Sequence, residues 1–343
     1  MNCVRKSRYL LVFLTVIGHG FVVACNVNDI SSNTEKSDSS LKQIDLLKDP
    51  QFSLGFRLVE TTPGKKTVLR NLQPPGVTTE PQWYLCQWNS RYCLSSAPRV
   101  VLPSGTVKYT NNAKLLTFGH RSYEGADLVL GVDSRPEYRG RLRKNGQPWP
   151  HLLIEQDDVS IHPFKDITQI YMHVETRLLT SERFDLAGYT PDLHTAQFQL
   201  TLIIQNRNRE SAGFGDFIWF NVQIYDERYR LCPLYAAQDT ADPSAKMIYA
   251  PPTALFSNKS VHDGQWVTFS KDIYPVIQEA LDEARTRGYL STSPDNADFA
   301  VSSVILGWEV PGVNYVQMQV RNLRLNIAAL PDPSLSFGAL LTP

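Results

Sequence analysis

The sequence has no excess of either charge and no long basic tract. Lysine and arginine total 34, and aspartate and glutamate total 34. That balance argues against nucleic acid as a partner, and no polybasic stretch offers a surface for anionic lipid. Cysteine is scarce, at five in 343 residues. No CxxC pair or histidine cluster accompanies them, so no metal site of the zinc kind is expected. No apolar run reaches the ~20 unbroken residues of a membrane-spanning helix, and no internal repeat stands out.

The first 25 residues carry a pattern of their own. Arg5, Lys6 and Arg8 precede an apolar run from Tyr9 to Ala24, broken by Thr15 and Gly18-His19-Gly20. A basic segment, a short apolar segment and small residues before the break make a secretory signal rather than a fold element. Val22-Val23-Ala24-Cys25 resembles the lipobox of bacterial lipoproteins. That resemblance implies that Cys25 becomes the lipidated (palmitate-bearing) first residue, anchoring the chain to the membrane of a bacterial cell envelope. Residues 26–42 are nearly devoid of bulky apolar groups and read as a flexible tether. Removing residues 1–25 removes three basic residues, leaving 31 Lys and Arg against 34 acidic residues, a net charge of −3. Residues 43–343 are long enough for one large β domain with a substantial core.

Cys86, Cys93 and Cys232 follow Cys25. In an exported chain an even subset can pair. Cys86 and Cys93 lie in Trp83-Tyr-Leu-Cys-Gln-Trp-Asn-Ser-Arg-Tyr-Cys93, a spacing that predicts a small staple and leaves Cys232 as a buried thiol. The segment 43–150 is rich in Pro and Gly turn signals. Within it Arg99–Leu102, Leu115–Phe118 and Asp127–Gly131 can form strands, but the segment as a whole reads as irregular.

From residue 168 onward the alternation is clean. Ile170, Met172, Val174 and Leu178 oppose Tyr171, His173, Glu175 and Arg177. Phe198, Leu200, Leu202 and Ile204 oppose Gln197, Gln199, Thr201 and Gln205. Ile218, Phe220, Val222 and Ile224 oppose Trp219, Asn221, Gln223 and Tyr225. Val316, Met318 and Val320 oppose Tyr315, Gln317 and Gln319, and the apolar phase then slips to Leu323, Leu325 and Ile327. A β-bulge near Arg321-Asn322 accounts for that slip. One helix is predicted within Ser270–Gly288, with Ile273, Ile277, Ala280, Leu281 and Ala284 on one face. Asp272 or Pro275 marks its start, and Gly288 its end. These patterns predict a mainly β fold: a jelly-roll-like antiparallel β-sandwich with one amphipathic helix and long decorating loops.

The polar faces of these strands carry the chemistry. Tyr171, His173, Glu175, Arg177, Gln199, Trp219, Asn221, Gln223, Tyr225, Tyr315, Gln317 and Gln319 are mostly amides and aromatics, not the charged mixture of a solvated sheet. If their strands share a sheet, they form a surface suited to a glycan: amides meet hydroxyls with donors and acceptors, and aromatic rings stack on sugar C–H faces. Alternatively, residues 43–150 cover this sheet, or the face is merely solvated. Candidates for acid–base work are His151, Glu155, Glu175 and Glu309. The Glu-x-Asp-x-Glu pattern of laminarinase-like jelly-roll hydrolases is absent; Glu155-Gln-Asp157-Asp158-Val159 only starts it.

Asp263-Gly-Gln-Trp-Val-Thr-Phe269, the helix after it, Gly307-Trp-Glu-Val-Pro-Gly312 and Val316-Gln-Met-Gln-Val-Arg-Asn-Leu323 resemble carbohydrate-associated jelly-roll modules of secreted bacterial proteins. The resemblance spans about the last 150 residues. It implies a surface-anchored lipoprotein that binds a polysaccharide or oligosaccharide. A glycoside hydrolase or polysaccharide lyase on the same scaffold, or a structural lipoprotein without a small ligand, are the alternatives. No cofactor is expected, and a structural Ca²⁺ is left open.

Overall fold

The computed structural model describes residues 41–239 and 246–331. Cys25, the signal segment and nearly all of the tether lie outside the described residues, and Lys42 already opens the first strand.

In chain order the strands are β1 (Lys42–Asp45), β2 (Phe56–Val59), β3 (Val68–Leu72), β4 (Trp83–Cys86), β5 (Val100–Val101), β6 (Val107–Thr110), β7 (Lys114–Tyr123) and β8 (Ala126–Asp133). The short helix α1 (Arg135–Tyr138) precedes β9 (His151–Asp157), β10 (Ile167–Arg183), β11 (Gln197–Asn206) and β12 (Phe217–Asp226). Then come β13 (Tyr235–Gln238), β14 (Met247–Ala250), β15 (Val267–Asp272), helix α2 (Tyr274–Thr286), β16 (Phe299–Glu309) and β17 (Asn314–Ala329).

Among the described residues these strands form two sheets. An eight-stranded sheet runs β15-β10-β17-β8-β7-β6-β5, with β1 also paired to β17. A nine-stranded sheet runs β13-β14-β12-β11-β16-β9-β4-β2-β3. Pairing is antiparallel except for β12 with β14 and β2 with β4. The sheets pack face to face, as the alternation predicts. Phe56 of one sheet meets Phe118 of the other edge-on at 5.2 Å, and the indole of Trp308 donates across the layer to the Leu130 carbonyl at 2.9 Å. Ile170, Met172, Val174, Phe198, Leu200, Leu202, Ile218, Phe220, Val222, Val316, Met318 and Val320 are all in this core.

The predicted bulge is present. Between His173–Arg324 and Glu175–Arg321 the β10–β17 register shifts by one residue, and Asn322 takes a φ of 54°. An asparagine tolerates that left-handed conformation better than most side chains. Helix α2 buries Val276, Ile277, Ala280, Leu281 and Ala284. Pro275 sits in its first turn, and Asp272 Oδ1 accepts from the Tyr274 amide at 3.1 Å, so both predicted start signals are used. Gly288, with φ 85°, lets the chain turn away.

Three expectations are corrected. Residues 43–150 are not an irregular cover: β2–β4 extend the nine-stranded sheet and β5–β8 the eight-stranded one. β2–β6 are short and closely spaced by turns, which hides the period, and β8 is buried on both faces and so does not alternate. The Cys86–Cys93 staple is not formed; both thiols are free. Cys86 points outward from β4 among Val59, Leu153 and Ile305, whereas Cys93 packs against the inter-sheet core, so the two lie on opposite sides of one sheet. Tyr225 does not continue the outward row of Trp219, Asn221 and Gln223. A register shift between Phe198–Tyr225 and Gln199–Gln223 turns it inward. At 2% exposure it packs edge-on against Trp308 at 5.5 Å, and its hydroxyl lies 2.7 Å from Ser181 Oγ.

Candidate functional site

The sequence-predicted residues divide between the two outer faces of the sandwich. Tyr171, His173, Glu175, Arg177, Tyr315, Gln317 and Gln319 belong to β10 and β17 of the eight-stranded sheet. Gln199, Trp219, Asn221, Gln223, His151, Glu155 and Glu309 belong to the nine-stranded sheet. The single surface expected from all of them is therefore two surfaces pointing in opposite directions. Alternation places a residue on one face or the other of its own strand; which sheet the strand joins depends on pairing.

The outer face of the eight-stranded sheet is largely paired within itself, leaving Gln319 Oε1 and Thr117 Oγ1 without a partner. Glu175 accepts from Arg321 Nε at 2.8 Å and Asn322 Nδ2 at 2.5 Å, with His173 Nε2 3.6 Å away. Burial pushes the Glu175 carboxyl up, but these bonds outweigh it and hold the group below the usual carboxylate range. Arg177 donates to the Gly264 carbonyl at 3.0 Å. Gln317 bonds Tyr315, and Gln319 is fully buried beneath the β7–β8 turn, donating to the Tyr123 carbonyl at 3.3 Å. Tyr171 is exposed.

The outer face of the nine-stranded sheet is different. Strand pairing lays its outward residues in rows across β12, β11, β16, β9 and β4. One row reads Gln197, Glu309, His151, with Trp88 beside His151. The next reads Gln223, Gln199, Gly307, Leu153, Cys86. The third reads Asn221, Thr201, Ile305, Glu155, Tyr84. The fourth reads Trp219, Ile203, Ser303, Asp157. Aromatic rings thus stand at both ends of a field of amides, carboxylates and small apolar groups.

Gly307 lies near the middle, with φ 149°. A Cβ there would fall 2.3 Å from the Leu152 carbonyl oxygen. The position has to be glycine, and it leaves a side-chain-free spot between Gln199 and Leu153. Around it, Glu309 accepts from Gln199 Nε2 at 2.7 Å and from Trp149 Nε1 at 3.0 Å. His151 Nε2 is 3.6 Å from Glu309. The His151 ring is held between Trp88 and Trp149, each 5.8 Å away. Burial raises the Glu309 carboxyl, but His151, Trp149 and Gln199 together leave it below the usual range, so it stays ionised. Glu155 goes the other way. Burial is the largest influence and outweighs the attraction of Lys66, raising its pKa. Lys66 lies 3.0 Å from Glu155 and also contacts Asp157. Cys86 donates weakly to Glu155 at 3.4 Å, and burial pushes its thiol well up, so it is no nucleophile.

Five buried polar atoms on this side have no hydrogen-bond partner: Arg57 Nε, Trp88 Nε1, His151 Nδ1, Trp219 Nε1 and Asn221 Oδ1. Asn221 itself is only 6% exposed. An unpaired buried donor or acceptor costs about 1–3 kcal/mol, and this face holds five against the two, Thr117 Oγ1 and Gln319 Oε1, on the outer face of the other sheet. The recesses of about 220 Å³ at Asp45–Asn326 and about 490 Å³ beside Trp266 include none of these residues. Among the described residues no group of three or more His, Cys, Asp or Glu side chains is arranged to hold a metal ion.

Trp88, Tyr84, Lys66 and Gly307 escaped the sequence reading as site residues. Tyr84, Cys86 and Trp88 do alternate, but β4 is too short to display a period, and its cysteines suggested a staple. Lys66 comes from the β2–β3 connection, whose place over β9 follows from pairing alone.

Fold and face together define a mainly β, two-sheet sandwich with an aromatic and amide outer surface on its larger sheet. No family model matches the chain, and no curated protein matches it. Among solved structures it is similar to a family 12 xyloglucanase from Bacillus licheniformis, at 9% identity over 67% of this chain and 97% of that one, with a TM-score of 0.39. An endoglucanase from Rhodothermus marinus matches at 9% identity over 68% and 97%, with a TM-score of 0.35. A family 11 xylanase from Neocallimastix patriciarum matches at 9% identity over 67% and 94%, with a TM-score of 0.34. At this identity the likeness concerns the layered β architecture alone.

Proposed function

We propose that this chain binds a polysaccharide or oligosaccharide along the outer face of its nine-stranded sheet, displayed on a bacterial cell envelope by a lipid on Cys25. The observation that carries the binding reading is the set of five unpartnered polar atoms set among Trp88, Trp149, Trp219 and Tyr84. A sugar supplies what such a surface needs. Its hydroxyls both donate and accept, so one ligand type serves the indole N–H groups and the Asn221 oxygen alike. Its C–H faces stack on the rings. Gln199 and Gln223 add further amide partners in the row around Gly307.

The strand register speaks against Glu155 and Glu309 acting together as a glycosidase carboxyl pair. Glu155 and Glu309 have pKa values pushed in opposite directions, as an acid and its partner would. Glu155 pairs with Ile305, however, so Glu309 stands four residues further along β16. At ~3.3 Å per residue that is ~13 Å, beyond the ~5–9.5 Å of a glycosidase carboxyl pair.

The test is Trp219→Ala, with thermal melting and glycan-array binding measured on the same preparations. A stacking role predicts near-wild-type melting and a loss of about ten-fold in affinity, ~1–2 kcal/mol. A large loss of stability with no glycan bound by the wild type would show that the ring serves packing and that this face takes no sugar.

A further inference from the structure

Arg143 is a buried cation with no anion beside it among the described residues. It is 7% exposed. Its guanidinium donates to the carbonyls of Gln147 at 2.9 Å and Leu193 at 2.8 Å, lies 5.0 Å over the Trp149 ring, and leaves Nε without a partner. Burial lowers its pKa, and Tyr138 is the other titratable group that influences it. A buried charge without a counter-charge is costly, and a guanidinium is shaped for a carboxylate, sulfate or phosphate.

The segment around it is strongly basic. Residues 135–144 read Arg-Pro-Glu-Tyr-Arg-Gly-Arg-Leu-Arg-Lys. Their acid, Glu137, is buried and already held by Lys114 at 2.7 Å, and Arg135 is bound to Asp133. Arg139, Arg141 and Lys144 are exposed and form no ion pair among the described residues. This loop runs directly into Trp149, whose indole binds Glu309 in the first row of the sheet face. On the adjoining face Glu155 and Asp157 share Lys66 and Glu309 lies beside His151, whereas Arg139, Arg141, Arg143 and Lys144 have no acidic partner among the described residues. A wholly neutral ligand gives those cations no counterpart.

We infer that the loop from Arg139 to Trp149 is an anion subsite at one end of the sheet face, taking a carboxylate, sulfate or phosphate substituent of the bound glycan. It rests on the glycan-binding reading above. Arg143 supplies the buried contact beside Trp149, and Arg139, Arg141 and Lys144 draw the charged substituent in through the longer-range field.

The experiment compares carboxymethyl-cellulose with hydroxyethyl-cellulose, two polymers of one backbone that differ in charge, by affinity electrophoresis of the full chain. Alginate and heparin are run alongside. The expected result is about ten-fold tighter binding of carboxymethyl-cellulose at low salt, lost near ~0.5 M salt. The surface variant R139Q/R141Q/K144Q should remove that preference while keeping the wild-type melting temperature. R143Q should do the same where it folds, and the surface variant decides the matter where it does not. Trp219→Ala separates the two ideas, because it should weaken both cellulose derivatives alike. Equal binding of the two polymers, or a preference that survives the triple substitution, overturns the subsite and leaves the sheet reading standing. So does a preference for phosphatidylglycerol over phosphatidylcholine vesicles with none for charged polymer, which would assign the loop to lipid headgroups. A wild type that binds none of the four polymers overturns both.

Discussion

Trp149 lies against the His151 ring and gives its indole N–H to Glu309, 3.0 Å away. With Gln199 on the other oxygen, that carboxylate is held ionised although it is largely enclosed. The folded pKa lies below the unfolded one. Glu309 therefore contributes stability at neutral pH, and the contribution is lost as pH falls from the unfolded value through the folded one. We expect Glu309→Gln to melt below the wild type at pH 7 and the gap to narrow as pH falls below the unfolded value of about 4.3. Melting curves between pH 3 and 7 check this; a gap independent of pH would contradict it.

Glu155 has the opposite sign. Its folded pKa is raised, so its contribution is favourable below the unfolded value and turns unfavourable as pH rises through the folded one. Lys66 is what moderates the cost at neutral pH. Lys66→Met should cost about 2–4 kcal/mol at pH 7, because it strands a buried carboxylate. The cost should shrink at pH 4.5 to 4, where Glu155 takes up a proton. Urea unfolding at both pH values distinguishes this from a loss of packing, which would cost the same at each.

Gly307 makes a prediction without electrostatics. Alanine there needs both a φ near 149° and a Cβ 2.3 Å from the Leu152 oxygen. Gly307→Ala should lose at least about 3 kcal/mol or fail to fold. A variant within ~0.5 kcal/mol of wild type would mean that β16 can slide away from β9.

Anchoring is tested at Cys25. Cys25→Ser should abolish membrane fractionation and remove the mass of the acyl groups. Unchanged fractionation and mass would leave the Val-Val-Ala-Cys motif without that role.

Much of the sandwich is legible in the chain because long strands repeat their period. β10 and β17 show several inward residues each, and the slip after Val320 exposes the bulge at Asn322 before any coordinate is known. The site is legible only in pieces. Trp219, Asn221, Gln199 and Gln223 can be read as outward, and His151, Glu155 and Glu309 as chemically apt, but nothing local says that β9, β11, β12 and β16 are neighbours. Pairing between residues as distant as His151 and Glu309 brings those two lists together. The same kind of non-local fact removes β10 and β17 to the other sheet, and one shifted register turns Tyr225 from a surface ring into a core one. Short strands such as β4 and β5 carry too few residues for any period to show.

The first and last described strands are neighbours. Lys42 at the start of β1 pairs with Ala329 at the end of β17, so the chain enters and leaves the sandwich at one place, on the eight-stranded sheet. The face with Trp219, His151 and Glu309 belongs to the other sheet, on the opposite side of the sandwich. A label attached at Lys42 or Ala329 would therefore sit on one sheet and leave the other sheet's outer face clear.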